Sequence, residues 1–187
     1  MARWPRPSLR QLFRRWWAVL ALWLGIVTVV LHSLSWAVPP EPWRIGTDPT
    51  FPPFEFRNAE TNQITGFDIE LMEAVGREVG HPIEWVPLPF DGLIPALQAR
   101  SVDAAISAMT ITAERARAID FSRPYFRAGQ AIVVRDAEPS YRSLADLKGL
   151  RIAVQIGTTG AIEAGKIPDA RVSSFDSTPL ALQELAN

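Results

Sequence analysis

The chain has 187 residues, 48% of them hydrophobic, and carries 19 Lys plus Arg against 20 Asp plus Glu for a net charge of −1. It contains no cysteine and only two histidines, which excludes a disulfide framework, a thiolate metal centre, a lipid-modified cysteine and a histidine metal cluster. Five of the bases lie before residue 16; taking them from 19 leaves 14 against 20 acids, a net of −6 that suits neither nucleic acid nor an anionic membrane surface.

Residues 1–15 hold five arginines and no acid, the stretch from Trp16 to Leu31 is almost wholly apolar, and Ser35-Trp36-Ala37 is a small-x-small pattern of the kind cut by signal peptidase. Residues 1–37 are therefore expected to be a signal peptide cleaved after Ala37. The alternative is an uncleaved membrane anchor, because the apolar stretch exceeds a usual signal core yet falls short of the roughly 20 residues of a spanning helix. Arg14-Arg15 also fits twin-arginine export, although two arginines before an apolar core are common in ordinary signals.

Beyond the leader, short apolar strands alternate with amphipathic helices. Arg44 to Thr47 reads as a strand and Phe54-Glu55-Phe56 as a short extended piece. Asp68 is placed to cap a helix from Ile69 to about Val79, with Ile69, Met72, Val75 and Val79 on one stripe, Glu70, Glu73 and Arg77 outward, and Gly80 ending it. Ile83 to Val86 is the next strand, and Asp91 caps a short helix through Leu97 and Ala99 with Pro95 in its first turn. Val102 to Ile106 is a strand running into Ser107, and Thr112 caps the helix that contains Arg115. A second run follows: a strand from Gln130 to Val134, a capping box at Ser143-Leu-Ala-Asp146 with a stop at Gly149, a strand from Arg151 to Gln155, a polar loop Ile156-Gly-Thr-Thr-Gly160 opening a helix, a strand from Val172 to Phe175, and a last helix with Thr178 at the cap and Pro179 first. Such alternation implies an α/β fold with parallel sheets, whose ligands bind at the carboxyl ends of strands, and Asp48, Ser107 and Thr158 all fall there. The second run has too few strands for a covered sheet, so the carboxyl terminus is expected to be incomplete.

The segment Ser107-Ala-Met-Thr-Ile-Thr-Ala-Glu-Arg115, continuing to Ser122, carries the most ligand chemistry. Hydroxyls of Ser107, Thr110 and Thr112 and the N–H groups of a helix start surround Arg115, whose planar guanidinium can grip a carboxylate with two parallel bonds. Other polar groups have plainer readings. His81 sits in a Gly-His-Pro turn; Glu70, Glu73 and Glu78 form a solvated helix face; Asp103, Asp120 and Asp146 are turn or cap residues. Asp48 before Pro49 also suits an Asx turn, Phe54 reads as core with Phe51 turned outward, and Gly157-Thr-Thr-Gly160 lacks the lysine and spacing of a phosphate-binding P-loop.

Gly46-Thr-Asp-Pro-Thr-Phe-Pro-Pro-Phe-Glu-Phe56, Gly66-Phe-Asp68, Phe90-Asp-Gly-Leu-Ile-Pro-Ala-Leu97, Ser107 to Ser122 and Val154-Gln-Ile-Gly-Thr-Thr159 resemble, in order and spacing, the family 3 periplasmic solute-binding proteins, the polar amino-acid receptors of ABC importers. The resemblance implies a two-lobed clamshell with the ligand in the cleft: lobe 1 over 38–124, a hinge at 125–129, and a partial lobe 2 over 130–187. It implies that Arg115 clamps the ligand α-carboxylate, assisted by Thr110 and by backbone N–H groups around Ala108 and Thr159, with Ser107 also counted among the ligand-binding residues. Asp48 would then meet the ligand side chain, Phe51 and Phe90 would sandwich its aliphatic part, and Thr158 and Thr159 would close from lobe 2. Gln155 stands where glutamine binders carry a lysine, and Ala108 where some relatives have serine or glycine, so the resemblance does not carry over which amino acid binds. It further implies a periplasmic monomer that delivers a polar amino acid to a membrane permease, without a cofactor or enzymatic activity. It places the aspartate that grips the ligand ammonium beyond the position of Asn187. Three other readings share the scaffold. A membrane-anchored sensory domain would retain the leader, a periplasmic dehydratase would need a cleft acid or base, and a receptor channel would need a pore segment that Phe121 to Leu150 does not provide.

Overall fold

The structure is a computed structural model that describes residues 16–17, 19–28, 40–135 and 141–187. Two units emerge, residues 1–40 and 41–187. In the first, residues 16, 17 and 19–28 are helical and exposed, and Thr28 Oγ1 donates back to the Leu24 carbonyl at 2.9 Å. Among the described residues no helix is long and apolar enough to cross a membrane. The cleavage position at Ala37 and the pair Arg14-Arg15 lie outside the described residues.

The second unit opens with β1 (Trp43–Thr47), β2 (Thr50–Phe51), β3 (Glu55–Arg57), β4 (Ile64–Thr65), helix α1 (Phe67–Val79) and β5 (Ile83–Pro87). It continues through α2 (Leu93–Gln98) and β6 (Ala104–Ala105) to β7 (Arg151–Gln155), α3 (Thr159–Ala164), β8 (Arg171–Phe175) and α4 (Thr178–Ala186). Strands β5-β1-β6 form a parallel sheet, as the alternation of elements predicts, and β7-β8 form a second parallel pair. A small antiparallel sheet, β2-β3-β4, was not expected; it folds the Phe-Pro-Pro-Phe turn back on itself above α1. Ile45 on β1, Leu93 on α2, Val102 before β6 and Ile69 on α1 are the most deeply buried aliphatic side chains of the first run. Asp103, expected only to turn the chain, also binds Arg44 through both carboxylate oxygens, at 2.8 and 3.1 Å, and so ties β1 to the approach of β6.

Several element ends differ from expectation, each for a local reason. Helix α1 starts at Phe67, with Gly66 rather than Asp68 at its cap, and the Pro53 and Phe54 carbonyls accept the Phe67 and Asp68 N–H groups at 3.0 and 2.9 Å. Asp68 is freed from capping and turns inward. The buried stripe of α1 runs through Ile69 and Gly76, leaving Val75 and Val79 exposed. Gly76 sets this face: a Cβ there would lie 2.8 Å from Ile83 and the His81 carbonyl, so the helix lies close against the start of β5 only along that line. Gly80 ends the helix as expected, in the left-handed conformation.

Asp91 lies within a 3-10 turn, Phe90–Gly92, and makes no side-chain cap; Gly92 precedes α2. The helix that holds Arg115 is a single 3-10 turn, Arg115–Arg117, with Glu114 rather than Thr112 at its cap; Thr112, one turn earlier, still accepts the Arg115 N–H at Oγ1, at 3.2 Å. The expected strand from Val102 to Ile106 shortens to Ala104–Ala105, the length over which it pairs with β1. Gln130 to Val134 forms no strand, since β7 pairs only with β8 among the described residues and this segment has no ladder partner. The capping box at Ser143 and Asp146 is present with both reciprocal bonds. Helix α4 begins one residue earlier than expected, with Ser177 at the cap and Thr178 already helical.

Candidate functional site

The carboxyl ends of β1, β6 and β7 face one cavity of about 1130 Å³. Its size exceeds the roughly 300–1,000 Å³ of ordinary small-molecule sites, because it continues along residues 121–135 to α4. All ten residues singled out from the sequence line it: Asp48, Phe51, Phe90, Ser107, Ala108, Thr110, Arg115, Gln155, Thr158 and Thr159.

Arg115 is the centre of the cluster. The 3-10 turn and the bond from its N–H to Thr112 Oγ1 fix the backbone, and the residue is 8% exposed. Its Nη1 donates to the Thr110 carbonyl and its Nη2 to the Gly157 carbonyl, both at 2.7 Å, while the guanidinium carbon stands 5.4 Å from the centroid of the Phe90 ring. Burial pulls its pKa down from the ordinary arginine value and the nearby Glu114 opposes that, yet a guanidinium stays charged in proteins. Among the described residues no carboxylate pairs with it. Two of its five N–H donors go to carbonyls, which leaves donors for an anion in the cavity.

Asp48, directly after β1, is 4% exposed. Its Oδ1 accepts from Thr50 Oγ1 at 2.8 Å and its Oδ2 from Gln155 Nε2 at 2.7 Å; the expected Asx turn does not form, because the Thr50 N–H goes to the Asp48 backbone carbonyl at 2.7 Å. Desolvation raises its pKa, partly offset by the bonds from Thr50, Gln155 and the Phe90 backbone. Gln155, at the end of β7, is itself held by Thr178 Oγ1 at 2.8 Å and reaches the Asp176 carbonyl at 3.3 Å. Asp48 and Gln155 therefore join the two runs of the chain across the cavity.

The hydroxyl residues divide into two roles. Thr158 caps α3, its Oγ1 accepting from Ala161 N–H at 3.2 Å and donating to the Gln155 carbonyl at 2.8 Å. Thr159 Oγ1 lies 3.5 Å from Thr110 Oγ1 and accepts from Gln130 Nε2 at 2.9 Å, so it meets the first run directly. Ser107 is 3% exposed and takes the Asp48 N–H at 3.1 Å. Ala108 lines the cavity, but its N–H points away from it and donates to Asp68 Oδ2 at 2.8 Å; the residue's left-handed φ of 45° turns that N–H inward.

Phe51 and Phe90 face the cavity as expected, and Phe54 is not purely core. Its ring lies 5.9 Å from Phe51, 6.0 Å from Phe67 and 4.9 Å from Phe126, so it lines the cavity while fastening the 121–135 segment to the Phe-Pro-Pro-Phe turn. The sequence reading missed four residues: the carbonyl of Gly157, the carboxyls of Glu55 and Asp68, and the Tyr125 hydroxyl, which donates to Asp68 Oδ2 at 2.8 Å. Glu55 between two phenylalanines was the available signal, since an acid flanked by aromatics on a short strand faces inward whenever the opposite face is also covered.

Residues 43–180 match the family model of bacterial extracellular solute-binding proteins, family 3. A probable histidine-binding protein of Campylobacter jejuni is 36% identical over 144 residues, covering 77% of this chain and 56% of that protein. Among solved structures, an ancestral arginine-binding protein bound to arginine superposes with a TM-score of 0.76 at 44% identity, covering 79% of this chain and 66% of that one. An ancestral amino acid-binding protein, a precursor of cyclohexadienyl dehydratase, gives a TM-score of 0.73 at 41% identity and covers 78% and 65%. The chain thus spans just over half the length of the curated relative and about two thirds of the solved ones. With two parallel α/β runs meeting at one cleft and the family match extending over most of its length, the chain belongs to the family 3 extracellular solute-binding proteins and has part of their two-lobed clamshell fold.

Proposed function

We propose that the chain is the carboxylate-gripping part of an extracytoplasmic receptor for a polar amino acid, working with the permease of an ABC importer. One observation carries the reading: a buried arginine, oriented by two carbonyls and an aromatic ring, has no anionic partner among the described residues and faces a cavity. In this reading the leader is residues 1–37, lobe 1 is 38–124, the hinge is 125–129 and lobe 2 is 130–187. The receptor acts as a periplasmic monomer and binds without catalysing a reaction. The cavity residues would divide the ligand between them, with Arg115 and Thr110 at its carboxylate, Ser107 and Ala108 as the corner behind them whose own donors go to Glu55 and Asp68, Phe51 and Phe90 along its stem, Asp48 and Gln155 at its side chain, and Thr158 and Thr159 closing over it.

The histidine and arginine named for the two relatives, and the acid at Asp48, favour a cationic side chain. Isothermal titration of the purified chain against the standard amino acids tests this, alongside a version continued to the length of its relatives. Heat with arginine, lysine or histidine is expected from the longer version; silence from both with every amino acid refutes the receptor reading. Asp48→Asn is expected to lower affinity for a cationic amino acid at least about tenfold while leaving glutamine little affected, because a full charge is replaced by an amide of the same shape. Equal losses for arginine and glutamine would instead make Asp48 a structural group.

The dehydratase precursor among the solved neighbours gives a second reading, an enzyme on the same scaffold. Turnover of prephenate or arogenate by the purified chain distinguishes it.

A further inference from the structure

Two acids at the cavity, Glu55 in its lining and Asp68 behind it, are not used by the proposed ligand grip. Glu55 on β3 and Asp68 in the first turn of α1 are 1% and 0% exposed. Glu55 Oε1 accepts from Ser107 Oγ at 3.0 Å, and Asp68 Oδ2 accepts from Ala108 N–H and from Tyr125 O–H, both at 2.8 Å. Their other oxygens, Glu55 Oε2 and Asp68 Oδ1, have no N–H or hydroxyl donor among the described residues, and the two carboxyls, which hold the consecutive residues Ser107 and Ala108, are near enough to interact. Adjacent buried carboxylates cannot both ionise. One proton held between the orphan oxygens removes the repulsion and satisfies both atoms.

We propose that Glu55 is a positioning residue that keeps its proton at neutral pH and donates it to Asp68, and that this pair holds the Ser107–Ala108 corner and Tyr125 in register beneath the ligand site. Only the ligand arm of the test below rests on the amino-acid reading. Asp68 already collects two donors at Oδ2, so the acceptor role in the pair falls to it. Its bond to Ala108 N–H supports a left-handed alanine, a conformation that an L side chain adopts only when its surroundings hold it there. On the other side Ser107 takes the Asp48 N–H and gives its own proton to Glu55. The end of β1, the end of β6, the start of α1 and the 121–135 segment are thereby linked through one shared proton.

The titratable groups facing Glu55 are Asp68 of α1, Asp48 after β1 and Tyr125 of the 121–135 segment, all of them acids. Burial, reinforced by Asp68, pushes the Glu55 pKa from 4.5 to about 9. Burial and then Asp68 likewise push the Tyr125 hydroxyl up, so it remains a donor. Because the folded value lies above the unfolded one, the contribution of Glu55 to stability is complete below about pH 4.5 and is lost as pH rises through about 9.

Carbon-13 titration of the side-chain carboxyls in the purified chain tests the proposal. A Glu55 resonance that stays in its protonated position at pH 7 and moves only above about pH 8 is expected; one that titrates between pH 4 and 5 overturns it. Glu55→Gln can donate from Nε2 to Asp68 and accept from Ser107 at Oε1, so it should fold, keep the Ala108 amide protected from exchange at pH 9.5 where the wild type loses protection, and show a flatter fall of Tm between pH 5 and 9. A Glu55→Gln chain with the wild-type slope, or with an unprotected Ala108 amide at pH 7, also overturns it. In the ligand arm, wild-type affinity should fall at least about tenfold between pH 7 and 9.5 while Glu55→Gln holds its affinity. If neither chain binds any amino acid, the receptor reading fails, and the carboxyl titration still decides the proposal.

Discussion

Arg115→Ala is expected to weaken amino-acid binding by at least about 100-fold, the equivalent of roughly 3 kcal/mol, which is the range for truncating one partner of a buried, hydrogen-bonded charge pair. The loss has two parts. The ligand carboxylate forfeits its only cationic partner in the cluster, and the Thr110 and Gly157 carbonyls lose the donors that hold them 2.7 Å from the guanidinium. Arg115→Lys separates them, since an ammonium restores the charge but not the planar fork that spans two carbonyls and an anion at once. Calorimetric titration of both variants should therefore find Lys intermediate, recovering less than half of the lost free energy. Affinity within threefold of wild type for Arg115→Ala would remove this residue from the binding site altogether.

Gly66→Ala is expected to destabilise the fold by about 3–5 kcal/mol, measured as a shift of the denaturant midpoint without a change of slope. Gly66 has φ 128° and ψ 179°, a region that only glycine populates. A Cβ there would sit 2.3 Å from the Phe54 carbonyl oxygen and 2.9 Å from that of Pro53, and both atoms are backbone that cannot step aside. Those same carbonyls receive the first N–H groups of α1, so moving them undoes the helix start as well. Since α1 carries Asp68 to the N–H of the cavity residue Ala108, the variant should also lose ligand affinity under conditions where it still folds. A shift below 1 kcal/mol would mean the turn relaxes far more readily than its contacts imply.

Much of the architecture could be read from local pattern. Strands β1, β5, β7 and β8 and helices α1 and α4 each follow from apolar periodicity bounded by glycine, proline or a capping hydroxyl, signals that lie within a few residues of the element they end. The Ser143–Asp146 box was legible for the same reason. The cluster of ten cavity residues was legible because several short motifs constrain one another, so that Asp48, Arg115 and Thr159 meet although they are far apart in the chain. What escaped were partners without a local signature. Asp68 looked like an N-cap because aspartate before an apolar run is one, and only the backbone of a turn a dozen residues upstream displaced it. The bond from Gln155 to Asp48 spans 107 residues, and that from Ser107 to Glu55 spans 52. Gln130 to Val134 had the composition of a strand, but a strand requires a neighbour, and no count of its own residues could supply one.

The bonds from Arg115 to Gly157, from Gln155 to Asp48 and the contact of Thr110 with Thr159 all cross from the first run to the second. The protein thus makes, with its own atoms, several of the cross-cleft contacts that a bound molecule would otherwise mediate. In the receptor reading a ligand would have to part these contacts to enter, and its measured affinity would be the intrinsic one discounted by the fraction of molecules in which they are open. Side chains that brace the crossing bonds, Thr178 on Gln155 among them, would then set that fraction.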